Sequence, residues 1–225
     1  MVTPRTALLL LGASLSAPAA AALQFQQAQA RDPDDGALIY TEDHLLRQDA
    51  GALAQRLVVY RCPDGTAFAR KRVDYRDAPL APSFVFEDAR LGYREGLRAD
   101  DDGRGRELWV RPSPDSAERS ADLAPAEALV ADAGFDEFVR RQWSRLVAGE
   151  SVKLRFAVPS RLDSYDFTVR RRGSTQLSGE PAEVFRLRLG GLWGWLAPHI
   201  DVAYGRETRR LLRFEGLSTR RDDAG

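Results

Sequence analysis

Along most of this chain apolar side chains return at every second position, and that period points to one kind of element. Val152, Leu154, Phe156 and Val158 alternate with Lys153, Arg155 and Ala157 before Pro159. Successive side chains of a strand point to opposite faces, so the pattern predicts a strand with one face buried. Tyr165, Phe167 and Val169 repeat it against Asp166, Thr168 and Arg170, as do Phe185, Leu187 and Leu189 against Arg186 and Arg188. Arginine stems can lie along a sheet face while their heads stay in water.

The same rhythm predicts strands at Ala37 to Arg47, Gln55 to Cys62, Ala67 to Asp74, Ser83 to Asp88, Tyr93 to Ala99 and Arg106 to Arg111. A last pair follows, Ile200 to Tyr204 and Leu212 to Phe214, turned at Gly205-Arg206-Glu207-Thr208. Pro63-Asp64-Gly65 marks a hairpin, because Pro presets φ while Asp and Gly tolerate the turn conformation. Gln24 to Gly36 is polar and is expected to be a weakly packed entry. Pro112, Pro114 and Pro125 are expected to bracket a linker that stops the sheet.

Only from Phe135 to Val147 does the period change. Phe135, Phe138, Val139, Trp143, Leu146 and Val147 share one helical face, Asp136, Arg140, Arg141 and Arg145 lie largely on the other, and Gly149 is placed to cap the end. The expected fold is therefore mainly β with one substantial helix (α+β): a curved antiparallel sheet, half-barrel-like, wrapped around that helix.

The chain opens with Arg5, the apolar run Ala7 to Leu11, and small residues ending in Ala19-Ala20-Ala21-Ala22, the layout of a secretory leader. Cleavage near Ala22 is expected, giving a leader of residues 1–22 and a single β-rich periplasmic domain of residues 23–225. The apolar run is far shorter than the about 20 residues a spanning helix needs, so no transmembrane segment is expected after cleavage. Charge is balanced, with 33 basic and 33 acidic residues, and only Lys71 and Lys153 are lysines. Such a chain has no global field to draw it onto nucleic acid. The one cysteine, Cys62, excludes an internal disulfide and reads as a small apolar residue.

Catalytic signatures are absent: no His-Glu-x-x-His, no Gly-x-Ser-x-Gly, no phosphate-binding glycine loop, and only His44 and His199. No catalytic residue, metal or cofactor is expected. His199 and Asp201 lie on one side of a strand and would need a further ligand, His44 or Asp166, to make a metal site. Asp100-Asp101-Asp102-Gly103 reads as a solvated turn, since a calcium loop spaces its carboxylates at alternate positions. Arg170-Arg171-Arg172 reads as a solvated strand end, because alternation splits the three between two faces.

The most unusual segment is Leu189 to Ile200, where Leu192, Trp193, Trp195 and Leu196 crowd between Gly190, Gly191 and Gly194. Two tryptophans on a glycine-rich connection fit a core plug, a bilayer-surface contact or the wall of a ligand cavity. The ligand-binding set carried forward is Phe138, Trp143, Leu192, Trp193 and Trp195.

Gly134-Phe135-Asp136-Glu137-Phe138-Val139-Arg140 leads through Trp143 to Gly149-Glu150-Ser151-Val152. Arg155 to Ser160 and the ending Glu207 to Ser218 complete the stretches that carry a resemblance. In these the chain resembles a family of uncharacterised exported proteins of Gram-negative bacteria, a domain of unknown function, and more loosely the half-barrel of periplasmic lipoprotein carriers. The first likeness covers mainly the second half and brings no catalytic residues. The second implies a curved sheet with helices on its concave face and room for acyl chains. Together these readings predict a periplasmic, non-enzymatic protein that binds a lipid or other apolar ligand in the concave face. The alternatives are an envelope scaffold that binds a protein partner and has a filled core, or, less favoured, a hydrolase.

Overall fold

The structure is a computed structural model that describes residues 21–100, 105–124, 128–191 and 199–216. Residues 1–20, most of the expected leader, together with Leu192, Trp193 and Trp195, lie outside the described residues.

Eight strands follow one another as β1 (Ala22–Arg31), β2 (Leu38–Asp49), β3 (Ala52–Arg61), β4 (Ala67–Asp74), β5 (Ser83–Asp88), β6 (Tyr93–Ala99), β7 (Arg106–Arg111) and β8 (Arg119–Leu123). Each pairs antiparallel with the next, making one eight-stranded sheet in chain order. The segment Gln24 to Gly36 is not a loose entry: its first part forms β1 and pairs with β2 from Ala22↔Gln48 to Ala30↔Tyr40. A strand whose two faces both meet water loses the apolar alternation by which strands are recognised. Nor do Pro112 and Pro114 end the sheet, because β8 forms beyond them and pairs with β7.

The second sheet has the order β14-β13-β12-β11-β10-β9, from β9 (Leu129–Ala131), β10 (Val152–Val158), β11 (Asp163–Leu177), β12 (Glu180–Leu189), β13 (Ile200–Gly205) and β14 (Leu211–Glu215). The fold is thus mainly β, with curved antiparallel sheets, one of them a half-barrel. One pair departs from the expected pattern, since β9 runs parallel to β10. Parallel neighbours need a crossover connection, and the helical segment supplies it.

That segment corrects the expectation of one substantial helix at the centre of a wrapped sheet. It is two short helices, α1 (Gly134–Arg141) of eight residues and α2 (Trp143–Val147) of five, bent at Gln142 where φ is −92° and ψ is 7°. Hydrogen bonds run through the bend, from Gln142 N–H to Phe138 and from Leu146 N–H to Gln142, so the apolar face continues. Gly149, with φ +90°, ends the turn as its position suggested. The pair packs on the second sheet as the βαβ crossover. At its start Gly134 is pressed against the Leu80 carbonyl, which a Cβ would meet at 2.0 Å, so no larger residue fits.

Burial follows the alternation. Phe138, Val139, Trp143 and Leu146 pack with Val152, Leu154, Val169, Phe185, Leu187, Val202 and Tyr204 into one core between helices and second sheet. A second cluster joins the sheets, with Val73, Tyr75, Phe84, Leu97, Leu108 and Leu123 meeting Ala131 and Ala157. Each large apolar side chain buried here contributes about 1.5–3 kcal/mol. A third cluster, Val58, Tyr60, Phe68 and Ala69, lies within the first sheet.

Candidate functional site

Strand register places the chemistry. On the inner face of the first sheet the pairs His44↔Val58, Val58↔Lys71, Lys71↔Phe86, Phe86↔Glu95 and Glu95↔Val110 form one row across six strands. Beside it run Glu42↔Tyr60, Tyr60↔Ala69, Ala69↔Asp88 and Asp88↔Tyr93. A bulge in β4 between the partners of Tyr60 and Arg61 leaves Phe68 as an extra residue. Its ring comes to 6.2 Å from Tyr60 and 6.1 Å from Tyr40.

The result is a carpet of rings. Tyr40 meets Tyr60 edge-on at 6.2 Å, Tyr60 meets Phe86 at 5.8 Å, and Phe86 meets Tyr93 at 6.4 Å. Tyr40, Cys62 and Phe86 are only partly buried where they pack against this cluster. At one end the Arg90 guanidinium lies 4.1 Å from the centre of the Phe68 ring and is held by the buried Asp88 carboxylate, Nη2 to Oδ2 at 2.7 Å. Such a cation over a ring adds about 0.5–2 kcal/mol.

Next to the rings a polar cluster ties three parts of the fold together. Lys71 of β4 donates to Asp132 Oδ1 at 2.6 Å, and Arg56 of β3 reaches Asp136 Oδ2 at 3.4 Å. Tyr204 of β13 donates to Asp136 Oδ1 at 2.9 Å. Asp132 sits in the left-handed region at φ +45°, at the corner between β9 and α1. Tyr75 packs beneath Arg56, 5.8 Å from guanidinium carbon to ring centre. Burial pushes the Tyr75 and Tyr204 phenols well above their ordinary range, and for Tyr204 the nearby Asp136 charge adds to it.

Each cation in this cluster is matched by a carboxylate and each phenol is held protonated. That is the chemistry of a clamp between the two sheets. Glu95 differs. Burial pushes its carboxyl up, and the hydrogen bond from Tyr93 Oη at 2.6 Å offsets part of that push. Because the folded form favours the neutral acid, the folded state holds more protons than the unfolded one as pH rises above the ordinary value of 4.5. Stability therefore falls with rising pH in that window. Glu95→Gln is expected to raise the melting temperature, by a margin that grows from pH 4.5 to neutrality. A margin that stays flat or shrinks with pH would sink this account.

Among the described residues, those singled out from sequence are scattered. Phe138 and Trp143 are core positions, with Trp143 meeting Phe185 edge-on at 5.5 Å. Asp201 is held by Arg186 in a two-pronged pair at 2.6 and 2.5 Å, while His199 stands 4.0 Å from it. His44 instead meets Glu42 at 2.9 Å. Among the described residues no group of three or more His, Cys, Asp or Glu is placed to hold a metal ion. Arg171, one of the three consecutive arginines, is more than a solvated strand end, since it donates to the buried Glu183 at 2.6 Å.

Arg56, Lys71 and Glu95 do not stand out as a motif, yet the sequence does carry a signal for them. Each stands on the apolar parity of its strand, Arg56 between Ala54 and Val58, Lys71 between Ala69 and Val73, Glu95 between Tyr93 and Leu97. A charge where alternation demands burial must find a partner, and its parity alone marks it. No family model, no curated protein and no solved structure matches this chain.

Proposed function

We propose that this chain is an exported, periplasmic, non-enzymatic protein that binds an apolar or amphipathic ligand on the concave face of its first sheet. The observation that carries the reading is the row of rings from Tyr40 through Tyr60 and Phe86 to Tyr93, with Phe68 alongside and Tyr40 and Phe86 part-exposed. Aromatic carpets with a few polar groups at one end suit a lipid-like molecule, whose chain lies on the rings while its head meets the polar cluster. Since Phe138 and Trp143 are core positions, the contact surface is proposed at these rings. Cleavage near Ala22 would leave β1 whole from Leu23 onward.

The test is native mass spectrometry of the protein purified from the periplasm, followed by titration with palmitate as probe. A co-purified acyl-chain adduct, and palmitate binding that Tyr40→Ser and Phe86→Ala weaken at least tenfold with folding retained, are expected. Bare protein that takes up no palmitate would overturn the reading. It would favour the alternative, an envelope scaffold with a filled core, for which the packing of Phe138 and Trp143 speaks.

A further inference from the structure

The first strand carries an unusual edge. β1 ends the order of its sheet, so among the described residues no strand pairs with its outer side. It is ten residues long and eight of them are exposed, whereas the other sheet edges, β8, β9 and β14, have five, three and five residues. Natural edge strands are usually short or guarded by charge, proline or a bulge. β8 carries Arg119 and Asp122, and β14 carries Arg213 and Glu215. From Ala22 to Ala30, β1 has no charge and no proline, and its bulge falls only at Ala30/Arg31.

Two further features say what fits there. Leu23 and Phe25 are each 66 % exposed on one face, where Phe25 pairs directly with the exposed Leu45 of β2. The other face presents Gln24 and Gln26, whose amides both donate and accept and so can pair with their own kind. A charged partner strand would find one cation, Arg31, at the far end and nothing else to recognise. A second copy of the same strand brings a ring to meet Phe25 and amides to meet Gln24 and Gln26.

We infer that β1 is a self-association edge, at which two copies of this chain join antiparallel about a two-fold axis into one continuous sheet of sixteen strands. The register that fits sets Phe25 opposite Phe25 of the second copy and Gln24 opposite its Gln26. Opposed residues of an antiparallel pair share a face, so the two rings meet beside the two Leu45 side chains. Both Arg31 residues then lie outside the ladder, about 40 Å apart at about 3.4 Å per residue, well beyond the about 8 Å screening length. The inference stands apart from the ligand reading and involves none of its residues.

The test combines sedimentation velocity with cross-linking. The purified protein is expected to sediment at twice the mass of the chain. Phe25→Lys, which sets like charges face to face, is expected to shift it to a monomer with unchanged circular dichroism. In a Cys62→Ser background, Phe25→Cys should form an intermolecular disulfide, because opposed Cα atoms stand about 4.5–5.5 Å apart. Leu45→Cys, equally on the surface but one strand inward, should not. A wild-type monomer at every concentration, a Phe25→Lys dimer, or cross-linking through Leu45→Cys as fast as through Phe25→Cys would each overturn the inference.

Discussion

Replacing Phe185 with alanine is expected to cost about 3–5 kcal/mol of folding stability, the largest single effect in the molecule. The Phe185 ring is 0 % exposed. It meets Trp143 of α2 at 5.5 Å, nearly perpendicular at 79°, and Tyr204 of β13 at 6.2 Å. It therefore touches both the helical crossover and the second sheet, and its removal leaves a hole lined by elements that cannot all move inward together. Tyr204 also reaches across to Asp136, so the damage should extend to the polar clamp. Chemical denaturation with circular dichroism checks it, with a melting temperature lowered by roughly 10 °C or more. A loss below about 1 kcal/mol would mean that the cluster collapses around the gap and that the core is far less rigid than its packing implies.

Glu183→Ala ranks second. Its side chain on β12 is 1 % exposed and accepts from Arg171 Nε at 2.6 Å and Arg206 Nε at 2.8 Å, with the Ser174 hydroxyl also within reach. Burial alone would push this carboxyl up, yet the hydrogen bonds from Arg171 and Arg206 outweigh it and hold it below its ordinary range. Removing one partner of a buried pair costs about 3–5 kcal/mol. Here the two arginines keep some access to water, so about 2–3 kcal/mol is expected. The pH dependence supplies the sharper test. A carboxyl lowered in the folded state contributes stability above its ordinary value of 4.5, and that contribution is lost as pH falls below it. Glu183→Gln should be less stable than the wild type at neutral pH, with the gap closing as pH is lowered. A gap that is independent of pH would show that the arginines do not act on this group as an ion.

These two residues mark different depths of legibility. Phe185 stands out as part of an alternating strand, and alternation alone assigns it to the buried face. Glu183 stands two residues before Phe185 on the same parity, so alternation marks it for burial but names no partner for its charge. One of its partners, Arg206, comes from the turn after β13, 23 residues away. No local pattern encodes that approach. The candidate ligand face is unreadable for the same reason: Tyr40, Tyr60, Phe86 and Tyr93 come from four strands and become neighbours only through register, while Phe68 joins them through a bulge. Along the chain, Trp193 and Trp195 draw attention to Leu189 to Ile200, whereas the rings of the first sheet are crowded in space.

The strands of period two, several to the residue, the change to helical period near Phe135 and the turn at Pro63-Asp64-Gly65 were all determined by the sequence, because each rests on side-chain direction within a few residues. Tertiary structure alone decided the rest. It bent the helix at Gln142 and used it as a crossover between two parallel strands, made a strand of a polar segment by giving it β2 to pair with, and gathered Arg56, Lys71, Asp132, Asp136 and Tyr204 into one clamp. Hydrogen bonding between strands and the pairing of buried charges are interactions between residues far apart in the chain, and a period read along the chain carries no record of them.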